Sequence, residues 1–144
     1  MIIFVETIDR AQKLFNELVL YGINVDIIHS GRTPVERENI ICQFRSGRIW
    51  FLITTELLAR GLDFPNVANV INYDFPATTS SYIHRIGRTG RAGKRGKAIT
   101  LFTQDDAKRL KLVVNVMRQS GCKVPEWMLN VRNPKSKYIV KKNS

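Results

Sequence analysis

The chain has 144 residues, 44% hydrophobic and 9% aromatic, enough for one folded domain with its own core and too apolar for a disordered tail. Its 23 Lys and Arg against 12 Asp and Glu leave a formal charge of +11, which points to a polyanionic partner, nucleic acid before an anionic membrane. No apolar run approaches ~18 residues, so no transmembrane helix is expected. Cys42 and Cys122 lie far apart and near no histidine, so they read as reduced thiols rather than a disulfide framework or a metal site.

Ile2–Glu6 is almost wholly apolar and reads as a strand covered on both faces. Thr7 caps a helix that turns Ile8, Ala11, Leu14, Phe15 and Leu18 inward and closes at Gly22. Val25–His29 is a second strand. Thr33-Pro34-Val35-Glu36 is a capping box with proline at the first helical position, and its helix buries Ile40, Ile41 and Phe44 before stopping near Gly47. Trp50–Thr54 reads as a third strand, Val67–Tyr73 as a fourth, Ser80–Gly87 as a short helix and Lys97–Phe102 as a fifth strand. The next helix opens with Thr103-Gln104-Asp105-Asp106, whose acids read as caps, buries Ala107, Leu110, Val113, Val114 and Met117, and ends at Gly121.

Strands alternating with helices predict an α/β domain with a mainly parallel twisted sheet and helices on both faces, because parallel neighbours need crossover connections. Ligands in such sheets sit at the carboxyl ends of the strands, where each unusual polar cluster of this chain falls. Residues 1–129 are expected to form the domain, and 130–144, with Lys135, Lys137, Lys141 and Lys142, a basic tail.

The segment richest in chemistry is Tyr82-Ile83-His84-Arg85-Ile86-Gly87-Arg88-Thr89-Gly90-Arg91-Ala92-Gly93, which interleaves arginine with glycines that let backbone approach a ligand. Arg88 and Arg91 are three residues apart, so on helical or turn backbone they point the same way. Two convergent guanidiniums suit the equatorial oxygens of a phosphoryl group in transfer. The competing reading is a general phosphate-binding basic face.

This segment resembles motif VI of the DEAD-box RNA helicases. Ile53-Thr54-Thr55-Glu56-Leu57-Leu58-Ala59-Arg60-Gly61-Leu62-Asp63 resembles their motif V, Ile3-Phe4-Val5-Glu6-Thr7 their motif IV, and Val70–Pro76 the strand and turn between V and VI. The resemblance covers residues 2 to 125 and implies a second, RecA-like three-layer domain of such an enzyme. It implies that Arg88 and Arg91 are arginine fingers for the ATP γ-phosphate and that Asp63 accepts from the ribose, with Gly61 permitting close approach. His84 would couple nucleotide to RNA, Arg85 would support the motif, and Thr7, Arg37 and Thr55 would contact the backbone of single-stranded RNA. By residue chemistry alone, Thr7 is equally a helix cap, Arg37 has pairing with Glu36 or Glu38 as its lesser alternative, Asp63 has the shaping of a turn as its alternative, and His84 taken by itself is more often a partly buried structural histidine. Pro34 stands where the family usually has glutamine, Ser30 where it often has glycine, and Glu56 where aspartate is frequent, the last a change expected to matter little.

No G-x-x-x-x-G-K followed by Ser or Thr occurs, and no Asp-Glu-Ala-Asp. ATP and Mg2+ are therefore expected to be bound mainly by an N-terminal RecA-like domain of a longer protein, with Met1 at a fragment boundary. The chain alone is expected to be nearly inactive and to hold no metal of its own. The expected partners are single-stranded or duplex RNA, that N-terminal domain and an activating protein, and no membrane. Segments such as Gly121-Cys122-Lys123-Val124-Pro125-Glu126 and the basic end resemble helicases of small-subunit ribosome assembly, implying pre-ribosomal RNA and the nucleolus, or alternatively the cytoplasm. Two other classes compete: a catalytically inactive RNA-binding or protein-docking module with the same fold, and a DNA-directed relative, against which Tyr82-Ile83-His84 argues.

Overall fold

The computed structural model describes residues 1–56, 67–89 and 95–130. Gly61, Asp63, Arg91 and the tail lysines lie outside the described residues. The elements run β1 (Ile2–Val5), α1 (Ile8–Leu20), β2 (Val25–Ile28), α2 (Pro34–Arg45), β3 (Phe51–Thr55), β4 (Asn69–Asn72), α3 (Thr79–Ile86), β5 (Lys97–Thr100), α4 (Leu110–Gln119) and α5 (Glu126–Leu129). All strand pairs are parallel and the order is β2-β3-β1-β4-β5.

Strand β1 pairs on both sides, with Ile3 level with Ile53 of β3 and with Ile71 of β4. That central position is why every residue of Ile2–Val5 is buried and why the run is apolar without alternation. Its side chains still alternate between two cores. Ile2 and Phe4 join Ile28, Leu52 and Val70 under Ile40, Ile41 and Phe44 of α2. Ile3 and Val5 join Ile27 and Ile53 under Ala11 and Leu14 of α1. A third cluster gathers Tyr82 of α3 and Leu110, Val113 and Val116 of α4 around Phe75. The edge strand β5 is correspondingly more exposed.

The helix ends follow their local chemistry. Thr7 Oγ1 accepts from Arg10 N at 3.2 Å, and Thr33 and Glu36 form the reciprocal capping box with Pro34 at the start of α2. Gly22 closes α1 at φ 71°, a left-handed conformation that a side chain would strain.

Four expectations need correction. Ile8 is 41% exposed, because the first turn of α1 stands beyond the strand end. The helix expected from Thr103 is a 3-10 turn over Gln104–Asp106 followed by α4 from Leu110. Asp106 caps that turn by accepting from Thr103 N at 2.9 Å and also holds Arg109, so the local bonds close before an α-helical turn begins. Within α4 it is Val116 that is buried, with Met117 half-buried beside it and Ala107 half-buried ahead of the helix. The short helix α5 after Pro125 carries no capping or periodicity signal, and Trp127 is held by stacking on Phe102, centroids 5.7 Å apart. No described helix is long and apolar enough to cross a membrane.

Candidate functional site

The strand order β2-β3-β1-β4 sets the carboxyl ends of four strands in a row, at the ~4.8 Å spacing of a sheet. Along that row lie the loop Ser30–Arg32 after β2, Thr55 at the end of β3, Thr7 just beyond β1, and Asp74 just beyond β4. Val5 is level with Thr55, and Ile28 with Thr54, so the three residues expected at RNA share one end of the sheet. From the adjacent strands β1 and β4 the chain leaves to opposite faces: α1 packs on the Ile3 and Val5 side, while Arg85 of α3 lies 5.5 Å over the ring of Phe4. Connections that part in this way leave a crevice outside the strand ends, the usual ligand position in open α/β sheets.

The side chains of this end are already organised. Arg37 turns back from the first turns of α2 to donate from Nε to Arg32 O at 2.9 Å and from Nη2 to Ser30 O at 3.2 Å. It thus closes the β2–α2 loop, which is further fixed by Arg32 on Asp26 and by Gly31 N donating to His29 Nδ1 at 3.1 Å. Thr7 spends its acceptor on the helix cap, which leaves its hydroxyl proton available as a donor.

Arg85 is 4% exposed. Its Nε donates to Glu56 Oε2 at 3.1 Å and its Nη1 to Asp74 O at 2.7 Å, so it joins the ends of β3 and β4. Burial holds the guanidinium below its ordinary pKa against the opposing pull of Glu56, and it stays charged. Glu56, standing where aspartate is frequent in the family, supplies the carboxylate of this pair. Asp74 was part of a recognised turn but without a role; nothing in local spacing shows that its carboxylate meets residues on the β1–α1 turn.

His84 and Arg88 form a pair one turn apart, with Arg88 Nη2 2.9 Å from His84 Nε2. A guanidinium can only donate, so His84 is the acceptor and the neutral imidazole carries its proton on Nδ1. Arg88 does not stand at the carboxyl end, where the fold rule put every polar cluster. Helix α3 runs back along the sheet, Val67 N donates to Arg88 O at 3.0 Å, and Thr89 Oγ1 donates to Ala68 O at 2.9 Å. Thr7, Thr55 and the Arg37 loop therefore lie at the carboxyl end of the strands, whereas the Arg88 backbone lies beside the residues leading into β4. Arg88 Nε is buried with no hydrogen-bond partner among the described residues, a donor that suits an anionic ligand. A Cβ on Gly87 would lie 3.0 Å from Ile83 O of its own helix, a tight contact that the helix end would have to relieve.

Residues 1–93 match the family model described as helicase conserved C-terminal domain. The chain is 56% identical over 131 residues to the ATP-dependent RNA helicase ROK1 of Yarrowia lipolytica, covering 91% of this chain and 24% of that protein. It matches a structure of the C-terminal domain of the DEAD-box protein Dbp5 with TM-score 0.74 and 41% identity, over 83% of this chain and 69% of that one. It also matches Saccharomyces cerevisiae Dbp5 bound to RNA and ADP BeF3, with TM-score 0.71 and 40% identity over 85% of this chain and 32% of that one. The curated relatives are long: the chain spans 20% to 25% of their length. The five-stranded parallel sheet, the motif VI helix packed across it and these matches together show that the chain belongs to the helicase conserved C-terminal domain family, as the second RecA-like domain of the DEAD-box type.

Proposed function

We propose that this domain supplies half of an ATP-driven RNA-remodelling site in a longer DEAD-box helicase. The observation that carries the reading is Arg88, held by a neutral His84 with its buried Nε donor uncommitted among the described residues. Arg88 and Arg91 act as fingers on the γ-phosphate of ATP, where such arginines contribute about 10³–10⁵ in rate. Asp63 accepts from the ribose, with Gly61 beside it. ATP and Mg2+ are held mainly by the N-terminal RecA-like domain, whose closure onto this one completes the site.

At the carboxyl end of the strands, Thr7, Thr55 and Arg37 take the sugar–phosphate backbone of one RNA strand. Backbone contacts position a strand without reading its sequence. His84, on the helix that Arg85 ties to the strand ends, relates nucleotide to RNA. The +11 charge supports a polyanionic partner, and the resemblance of the chain's later segments to ribosome-assembly helicases supports pre-ribosomal RNA and a nucleolar setting.

The test is ATP turnover with and without single-stranded RNA, for this chain and for the full-length protein containing it. Turnover stimulated by RNA in the full-length protein, lowered about 10³-fold or more by Arg88→Ala or Arg91→Ala and negligible in the chain alone, is the expected result. Turnover in neither, with RNA binding kept, would instead identify an inactive RNA-binding or docking module.

A further inference from the structure

The strands enter the sheet at an end that carries a cleft of its own. Trp50 lies just before β3 and Met1 just before β1, and Trp50 N donates at 2.9 Å to Asn24 O, which lies just before β2. Between this end and the last turn of α2 lies an open cleft of about 380 Å³, lined by Phe44, Arg45, Ile49, Trp50, Val67 and Ala68 among others. Leu52, two residues on from Trp50, packs under α2 with Phe44, so strand alternation turns Trp50 to the same face. Phe44 and Ile49 are buried and give the cleft an apolar floor, while Trp50 is 61% exposed. An aromatic left that open beside an apolar floor has surface to gain from an occupant. Charge around the cleft has one sign. The chain carries no acidic residue from Asn39 to Thr55, a stretch that holds Arg45 and Arg48. Arg48 is exposed and pairs with no acid among the described residues. Lys97, whose N–H donates to Ala68 O at 2.9 Å, adds an exposed cation at the start of β5.

We propose that this cleft is a second contact for single-stranded RNA, in which a base stacks on Trp50 and the flanking phosphates meet Arg45 and Arg48. This contact rests on the RNA-binding reading above and extends it to the end of the sheet where the strands begin. An aromatic face set among cations takes single strands without reading their sequence, since every base has a face to stack and every nucleotide a phosphate. Helix α2 links the two sites. Arg37 in its first turns belongs to the proposed track, Arg45 in its last turn lines the cleft, and its 12 residues span about 18 Å. A strand leaving the track along α2 reaches Trp50 within a few nucleotides. An acidic protein segment would match the charge equally, but continuity with the track along one helix favours RNA.

The experiment measures the affinity of the full-length protein for two single-stranded RNAs, one of about six nucleotides, enough for a single site, and one of about thirty, enough for both. Trp50→Ala is expected to weaken the long RNA about tenfold, a loss within the range for one stacked base, and to leave the short one at its wild-type affinity. Trp50→Phe should restore most of the long-RNA affinity, because a smaller ring still stacks. Arg48→Gln should lower the salt dependence of log K by about 0.7 for the long RNA alone, the share of one phosphate on a single strand. Both side chains are exposed, so neither change disturbs the core. Hydroxyl-radical footprinting should show Trp50 protected by the long RNA and not by the short one. If Trp50→Ala binds the long RNA like the wild type, or weakens both RNAs by the same factor, the second site is overturned while the functional reading stands. Protection of Trp50 by a glutamate-rich peptide and not by RNA would assign the cleft to a protein partner, and a Trp50 shielded without any ligand would assign it to another segment of the longer protein; either result overturns the proposal. If the wild-type protein binds neither RNA, the functional reading falls and the second site falls with it.

Discussion

Arg85 is a full charge in a nearly closed site, and its surroundings explain why it is tolerated. It has a carboxylate on Nε, a carbonyl on Nη1 and an aromatic face beneath it, so the cost of burial is offset by directed bonds. The consequence is asymmetric. Removing the arginine alone leaves the Glu56 carboxylate, 17% exposed, without this partner and frees Asp74 O. Arg85→Met is expected to destabilise the domain by about 3–5 kcal/mol, because it removes one partner of a largely buried ion pair. Urea unfolding midpoints of the variant and the wild type check the statement.

The helices are specified at their ends more than along their lengths. In α2 the Glu36 carboxylate accepts from Thr33 N at 2.7 Å, and that bond holds Glu36 below the ordinary carboxylate range. A carboxylate depressed in the folded state stabilises it at neutral pH, and the contribution is lost as pH falls through the folded-state value. Glu36→Ala should therefore lower the thermal midpoint at neutral pH and lower it progressively less as the pH falls below about 4. Thermal melts of both proteins across that range test the sign: a gap that widens toward acid would contradict the capping role.

Across the whole molecule, charge and strand order act together. The net charge of +11 gives long-range attraction for a polyanion, while the sheet end with the Ser30–Arg32 loop, Thr55 and Thr7 gives it a track. Among the three residues proposed for that track, Arg37 alone is charged. Arg37→Ala should weaken binding of unrelated single-stranded RNAs by similar factors and reduce the salt dependence of log K by about 0.7, the value for one phosphate contact on a single strand. Titrations of two RNA sequences at several salt concentrations check it, and a loss confined to one sequence would argue for base reading instead.

How much was legible in the sequence follows from range. Apolar runs, caps and glycine stops act within a few residues, so β1, α1, α2 and the five strands could be read from the chain, as could the segment carrying His84 and Arg88. The 3-10 turn before α4 was missed because Asp106 serves Thr103 and Arg109 locally in a way that also fits a helix start. Arg37 was expected at the RNA backbone, with pairing to Glu36 or Glu38 as the competing reading; its guanidinium reaches the carbonyls of Ser30 and Arg32 instead of those acids, because the β2–α2 loop folds back over the first turn.

The sequence by itself determined the family, the parallel α/β architecture and the identity of the residues bearing chemistry, since each is written in short-range patterns. Only the tertiary structure decided which of them stand together. Parallel strands are joined by long crossovers, so neighbours in the sheet are rarely neighbours in the chain, and β1 lies between β3 and β4. That order sets Thr7 beside Thr55, while the tertiary fold lays the Arg88 backbone beside the residues leading into β4 and closes Asp74 onto Arg10 across 64 positions of sequence, a distance no periodicity spans.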